Sequence, residues 1–168
     1  TKFSFPVPLI RGRKVVEHPT NQELLTRRYT AEAVKWIHTP RDKPFFLYLA
    51  HNMPHAPIFA SKQFQGSSDG GRYGDVIEEI DWSVGRVMAA LKLAKLDTNT
   101  LVIFTSDNGG LDRKGNPTEN APLRSGKGYC YEGGIRVPFL VRWPAAVPPG
   151  VVSDEPVSSI DLVPSILE

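Results

Sequence analysis

The sequence holds little cysteine and little excess charge. Cys130 is the only cysteine among the 168 residues, so an internal disulfide is excluded, although this does not fix the compartment. Twenty Lys and Arg residues face 18 Asp and Glu residues, and neither sign forms a long run. This balance gives no extended basic surface for nucleic acid or for an acidic membrane, so we expect neither as a partner.

Long apolar runs are also missing. No run approaches the length of a membrane span, and residues 1–4 lack the apolar core of a signal peptide. The Asn-Pro-Thr triplet at 116–118 is not a glycosylation acceptor, because its middle residue is proline. What is present is one domain's length of chain, which is enough to bury a sizeable core.

The first half of the sequence predicts one helix and one strand. Residues 1–19 are rich in proline, and we expect them to form an extended lead-in. Thr20 and Glu23 form a capping-box pattern, and apolar residues then recur at helical spacing as far as Pro40. Residues 44–50 are apolar on both faces, which is typical of a central strand of a sheet.

The second half predicts a helix between strands and a long loop. Residues 75–95 have one apolar face and a charged opposite face, and strands are expected at 101–106 and 135–143. The order strand, helix, strand is that of a crossover unit, so the first two strands should be parallel neighbours or near neighbours in an α/β sheet. The glycine-rich loop 109–134 has the length of a binding loop, and a final helix is expected at 159–167.

The end of the second strand carries the first candidate site. Asp107 and Asn108 follow the strand directly, and two glycines let the backbone turn at the carboxyl end, where open α/β sheets place ligands. A carboxylate beside a carboxamide offers the hard oxygen donors that Ca²⁺ or Mg²⁺ prefers. The alternative is an ordinary Asp-Asn-Gly turn without a ligand.

Two further side chains complete a candidate anion site. His55 lies in the loop after the first strand, and Lys127 lies between two glycines before the third. A divalent cation, an imidazole and an ammonium group at one sheet edge would suit a tetrahedral oxyanion. Each residue also has a plainer interpretation: His55 can bond to the backbone, Lys127 can be solvated, and His51 is taken as structural. Arginines considered for lining an anionic pocket are Arg72, Arg124 and Arg136.

Several segments together resemble the sulfatase family, most closely the branch of arylsulfatase A and N-acetylgalactosamine-6-sulfatase. They occur in the family's order over nearly the whole chain, which is more specific than any one match. The matching segments are 43–50, 55–57, 72–81, 104–109, 126–128, 131–136 and 159–162.

The resemblance implies an alkaline-phosphatase-like α/β fold, with a mostly parallel sheet flanked by helices, that hydrolyses aryl sulfates or sulfated sugars. In that family the Asp-Asn pair, here Asp107 and Asn108, holds a Ca²⁺ ion. The histidine and lysine that contact the sulfate and assist catalysis map to His55 and Lys127. The family resemblance also suggests a periplasmic, secreted or lysosomal protein, while the oligomeric state and the particular sulfate ester stay open.

The chain departs from the family at the nucleophile. Sulfatases make a formylglycine from a Cys/Ser-x-Pro/Ala-x-Arg motif, which is absent, and Cys130 lacks that context. The family's acidic metal-ligand pair near the amino terminus and its Lys-x-His contacts are absent as well. We therefore expect residues 1–168 to be a partial catalytic domain without the N-terminal part and the C-terminal small domain. It should be inactive alone and bind Ca²⁺ weakly or not at all.

Two other functions remain open at this point. One is a phosphatase or phosphodiesterase of the same superfamily, which would use a Ser or Thr nucleophile. The other is a non-catalytic domain that binds a sulfated glycan or a protein. The Pro-His-Ala-Pro and Gly-Lys-Gly sequences, at 54–57 and 126–128, favour a sulfatase over the phosphatase or phosphodiesterase, and the binding domain stays open.

Overall fold

The computed structural model describes residues 6–112 and 118–168. Its helices are α1 (Leu25–Ile37), α2 (Gly71–Leu93), α3 (Glu132–Ile135) and α4 (Leu162–Leu167). Its strands are β1 (Leu9–Arg11), β2 (Lys14–Glu17), β3 (Val102–Thr105) and β4 (Phe139–Arg142). Single 3₁₀ turns span Gln22–Leu24, Asp97–Asn99 and Ser159–Asp161. No helix within the described ranges is both long enough and apolar enough to cross a membrane.

The two long helices pack on each other and form the centre of the fold. Ile37 from α1 meets Ala90 and Leu91 from α2 in one buried apolar cluster. Nearer the start of α2, a second cluster holds Met53, Ala60, Val76 and Ile80. Both helices were predicted, and α2 begins four residues before the expected start at residue 75. Burial of one apolar stripe on each helix therefore stabilises the pair.

The buried face of α2 differs from its predicted composition. Ile77, expected in the core, is 41% exposed, whereas Glu79 is only 1% exposed. Asp75 and Ser83 are buried on the same face as Glu79, each one helical turn away from it. The expectation of an apolar stripe with all charges opposite was wrong here, because these polar groups find partners in the polypeptide that covers α2.

The start of α1 is capped differently from the prediction. The side chain of Asn21, and not that of Thr20, accepts a hydrogen bond from the amide of Glu23 at 3.1 Å. The Thr20 hydroxyl is buried without a hydrogen-bond partner in the part of the chain that is described. A 3₁₀ turn separates this cap from α1, so the predicted capping box lies one residue too early.

The expected lead-in folds as a β-hairpin in its described part. β1 and β2 pair antiparallel, and the chain reverses at Gly12, whose φ of +60° suits glycine. Ion pairs from Arg11 to Glu32 and from Glu17 to Arg28 attach the hairpin to α1. Such short strands give almost no periodic signal, which is why the sequence alone predicted only extended chain. Residues 1–5 lie outside the described part.

The predicted parallel sheet is not confirmed. The strand pairs in the described ranges are both antiparallel: β1 with β2, and β3 with β4 in a register that places Val102 opposite Arg142. Residues 44–50 form no assigned ladder, although their burial alternates: Phe46 and Tyr48 are 74% and 80% exposed, while Phe45 and Leu47 pack on the α1–α2 core. A segment becomes a strand only through backbone partners, and the described residues supply none for it.

The carboxyl-terminal elements are largely exposed. β4 is shorter than the predicted strand and begins directly after Pro138. Proline has no amide hydrogen to donate to a strand pair, which is consistent with its place just before the strand. The final helix is present as predicted, as a 3₁₀ turn followed by α4, and Ser158 and Asp161 form its capping box. Many apolar side chains here contact solvent, among them Val152, Ile160 and Leu167.

Candidate functional site

The Asp107–Asn108 pair lies at the carboxyl end of β3, as predicted. Thr105 is the last strand residue, and the Ser106 hydroxyl donates to the carbonyl oxygen of Asn108 at 3.0 Å, which closes a tight turn. Asp107 is exposed and Asn108 is half-buried. The turn therefore presents one carboxylate and one carboxamide close to solvent, where a cation can reach their oxygens.

The backbone after this pair is packed against the loop before β4. The amide of Gly109 donates to the carbonyl oxygen of Gly134 at 3.0 Å. A Cβ atom at Gly109 would lie 1.8 Å from the carbonyl oxygen of Gly133, and one at Gly133 would lie 1.9 Å from that of Ser125. No side chain fits at either distance, so glycine is required by the close approach of the backbones.

The same packing brings Lys127 alongside the acidic turn. The Lys127 amide donates to the carbonyl oxygen of Gly110 at 2.9 Å, and Gly110 comes two residues after Asn108. The side-chain amide of Asn120 bridges the two segments, because its Nδ2 donates to Gly110 at 2.9 Å and to Ser125 at 3.0 Å. Lys127 is half-buried. The structure thus clasps the loop that carries Lys127 to the turn that carries Asp107 and Asn108.

His55 lies on a different loop and is exposed. Its Nδ1 is 2.7 Å from the carbonyl oxygen of Ala56. Because a carbonyl oxygen only accepts, Nδ1 carries the hydrogen, and Nε2 is the nitrogen left for other partners. Within the described ranges, no hydrogen bond or ion pair joins His55 to Asp107, Asn108 or Lys127. The structure therefore joins the loops of Asp107, Asn108 and Lys127 through their backbones and places His55 on another loop.

His51, at the start of the loop that carries His55, has contacts typical of a structural residue. Its Nε2 lies 3.1 Å from the Ser83 hydroxyl, which lies 2.6 Å from that of Thr30. Thr30 in turn donates to the carbonyl oxygen of Thr26 at 2.7 Å. Burial lowers the pKa of His51, so its neutral form is favoured at neutral pH. This buried network fixes the loop to both long helices.

The candidate arginines make local contacts. Arg124 stacks on the ring of Tyr131 at 3.7 Å, and Arg136, directly after α3, lies 3.7 Å from Glu132 of that helix. Arg72 adds a favourable charge near Asp75. The pKa of Asp75 is lowered chiefly by hydrogen bonds from the amides of Gly66 and Ser68. None of these contacts, all within the described residues, forms a pocket for an anion next to Lys127.

The donors for a metal ion are of the right kind but few. Asp107 and Asn108 supply hard oxygens of the type that suits Ca²⁺. Across residues 6–112 and 118–168, no group of three or more His, Cys, Asp or Glu side chains is arranged to hold a metal ion. Since Ca²⁺ takes six to eight oxygen ligands, these two residues fit as part of a shell that other groups must complete.

Sequence comparison identifies the relatives of this chain. The Sulfatase family profile matches residues 7–168. Steryl-sulfatase of Homo sapiens is 38% identical over 164 residues, which cover 94% of this chain and 28% of that protein. N-acetylgalactosamine-6-sulfatase of Mus musculus is 42% identical over 159 residues, covering 90% of this chain and 31% of the relative. The chain thus spans less than a third of the length of these relatives.

Solved structures agree with the sequence matches. The crystal structure of Ps i-CgsB in complex with k-i-k-neocarrahexaose superposes with a TM-score of 0.80 at 36% identity. The superposition covers 95% of this chain and 36% of that one. A 6S-sulfatase described with the metabolism of multiple glycosaminoglycans by Bacteroides thetaiotaomicron gives a TM-score of 0.70 at 34% identity, covering 84% and 33%. The fold is that of part of an alkaline-phosphatase-like domain, and the chain belongs to the sulfatase family.

Proposed function

We propose that this chain supplies the metal- and sulfate-binding loops of a catalytic domain that hydrolyses sulfate esters. The observation that carries the proposal is the clasp between the Asp107–Asn108 turn and the Lys127 loop, formed by the Lys127 amide and Gly110. A lysine loop fastened to a turn with two oxygen donors is an arrangement that suits a bound sulfate and its cation. A plain turn and a plain solvated lysine would not require the glycine packing that holds these loops together.

Each site residue has a distinct role in this proposal. Asp107 and Asn108 would hold Ca²⁺, and the ion would supply positive charge that neutralises the sulfate oxygens. Lys127 contacts the sulfate and stabilises the negative charge that develops on the ester oxygen. The Nε2 nitrogen of His55 gives that oxygen a proton as the ester bond breaks, and its Nδ1 stays bonded to Ala56. The nucleophile comes from sequence that is absent in this chain.

The complete domain in this proposal extends the present sheet. Phe45, Leu47 and Val102 of β3 pack against the same apolar cluster of α1 and α2. This placement supports a mostly parallel sheet in which 44–50 is a central strand. The exposed rings of Phe46 and Tyr48 then become buried against further polypeptide, as the coverage of less than a third of each relative supports.

The substrate class in this proposal is an aryl sulfate or a sulfated sugar. It is supported by relatives that are named steryl-sulfatase and N-acetylgalactosamine-6-sulfatase, and by a structural neighbour bound to k-i-k-neocarrahexaose. The particular ester depends on residues outside the clasped loops.

The proposed reaction is tested with a polypeptide that extends this chain to the full catalytic domain. With Ca²⁺ present, we expect it to turn over 4-nitrophenyl sulfate much faster than 4-nitrophenyl phosphate, because its metal and lysine site is matched to a sulfate ester. Chelation of Ca²⁺ should abolish the sulfate activity. A clear preference for the phosphate would favour the phosphatase alternative, and absence of both activities would favour a binding domain.

For the 168-residue chain alone we expect weak or undetectable Ca²⁺ binding. Its two oxygen donors on one turn leave most of the coordination shell to water, which gives little advantage over the hydrated ion. Isothermal titration of Ca²⁺ into the purified chain measures this directly, with Asp107→Ala as the control for non-specific heat. A dissociation constant in the submicromolar range that is lost in D107A would contradict the expectation.

A further inference from the structure

Residues 51–61, here called the histidine loop, are fastened to α2 at both ends. At the first end, His51 Nε2 lies 3.1 Å from the Ser83 hydroxyl. At the other end, the Ser61 amide donates to Glu79 Oε2 at 2.8 Å. Glu79 and Ser83 are four residues apart on one helix, so both attachments lie on the same face of α2.

Apolar contacts hold the histidine loop between these two ends. Met53 and Ala60 are buried against Val76 and Ile80 of α2. The thioether of Met53 also accepts a hydrogen bond from the backbone amide of Phe59 at 3.5 Å, which ties the two arms of the loop together. Residues 55–57 are exposed. His55 is therefore at the free tip of a loop whose base is fixed to one helix.

Glu79 is an unusual way to attach a loop. It is only 1% exposed, and one of its carboxylate oxygens is buried without a partner in the part of the chain that is described. The Ser61 hydroxyl beside it is also buried and unpartnered. Burying a carboxylate with a single donor is unfavourable, and an apolar side chain of similar size would pack here at less cost in free energy. The stability of α2 alone therefore does not explain why a glutamate is buried at position 79.

The structure assigns Glu79 as a positioning residue for His55, acting through the Ser61 amide. The Nδ1 of His55 is bonded to Ala56 within the same loop, so the place of Nε2 follows the place of the loop. Glu79 is a fixed acceptor for the Ser61 amide, and this hydrogen bond sets how far the second arm of the loop stands from α2. This inference rests on the proposed role of His55 as the acid that protonates the departing oxygen.

The chemistry of that step gives a specific signature. The nucleophile of the full domain forms a bond to sulfur as the bond between sulfur and the ester oxygen breaks, and the electron pair of the broken bond moves to the ester oxygen. That oxygen takes the proton from Nε2 of the imidazolium form of His55, which leaves the neutral ring with its Nδ1 hydrogen still bonded to Ala56. A poor leaving group such as phenoxide needs this proton, whereas 4-nitrophenoxide leaves readily without it. A displaced Nε2 therefore slows phenyl sulfate selectively, since misplacement by about 1 Å can cost up to a hundredfold in rate.

The test uses Glu79→Leu in the full catalytic domain with two substrates. We expect kcat for phenyl sulfate to fall roughly tenfold to a hundredfold with KM little changed, and kcat for 4-nitrophenyl sulfate to stay within about twofold. Glu79→Gln keeps an acceptor oxygen and should restore most of the loss. Asp75→Asn is the matched control, because Asp75 is buried on the same helix face but bonds Gly66 and Ser68 instead of the histidine loop. It should not discriminate between the substrates.

His55→Ala separates failure of this inference from failure of the proposed function. In a His55→Ala background, Glu79→Leu should cause no further loss on phenyl sulfate. If H55A is selective but E79L slows both substrates equally or neither, the positioning role is overturned and the proposed function stands. If H55A shows no leaving-group dependence, the acid role of His55 is overturned, and the positioning role with it. Should E79L not fold, Glu79→Asp, which shortens the reach and keeps the charge, must show the same selective loss or the inference fails.

Discussion

The 168-residue chain alone is expected to hydrolyse no sulfate ester. Its clasped loops hold only part of a sulfate site, and the chain contains no Cys/Ser-x-Pro/Ala-x-Arg motif from which the family's aldehyde nucleophile could form. Cys130 is free and exposed, but Tyr131, Glu132 and Gly133 follow it in place of that motif. Loss of the nucleophile from a covalent mechanism lowers turnover by roughly a millionfold in other hydrolases, and the remaining binding groups do not replace it.

The assay compares the purified chain with the full catalytic domain on 4-nitrophenyl sulfate and Ca²⁺. Turnover by the chain that persists through a second purification, and that disappears in Lys127→Ala, would show that another nucleophile operates here. A trace activity that is lost on repurification reports contamination. Cys130→Ala should leave the result unchanged, because this thiol has no part in the proposed chemistry.

In the full catalytic domain, Lys127→Ala is expected to lower turnover of an aryl sulfate by roughly a hundredfold or more. The ammonium group stabilises charge that grows as the ester bond breaks, so its loss raises the barrier more than it weakens binding of the substrate. His55→Ala should cost a similar factor on a poor leaving group, in line with the loss of a general acid.

Steady-state kinetics measures both effects, and the chain provides matched controls. Lys92 is an exposed lysine near the end of α2, and His38 is an exposed histidine just after α1. Replacing either by alanine should change kcat by less than about twofold. Full turnover by K127A would remove Lys127 from the site, and a loss as large in K92A would show that the effect is one of stability.

The helices could be predicted because their signals are local. Apolar residues at helical spacing marked α1, α2 and the final helix, and each forms with bounds close to the expected ones. The carboxyl end of β3 and the turn at Asp107–Asn108 were predicted for the same reason, since a short apolar run and two glycines suffice to indicate them. These features depend on residues that are close in sequence.

The features that the sequence did not predict depend on distant partners. Residues 44–50 have strand composition, but a ladder needs a neighbouring backbone, and the described residues give them none. The buried carboxylates of Asp75 and Glu79 were placed on the solvent side because charges usually lie there. The amides of residues 61, 66 and 68, which fold back over α2, donate to these carboxylates and favour their burial.

The bridge made by Asn120 has a consequence for how the two clasped loops respond to change. The Asn120 side chain bonds Gly110, and the hydroxyl of Thr118 donates to the carbonyl oxygen of Leu111 at 2.7 Å. The Lys127 amide bonds Gly110 as well. Gly110 and Leu111 are therefore held from three positions of the facing segment, and a displacement of that segment is passed to the turn that carries Asp107 and Asn108. The two loops behave as one mechanical unit, so a substitution at Asn120 changes the spacing of both.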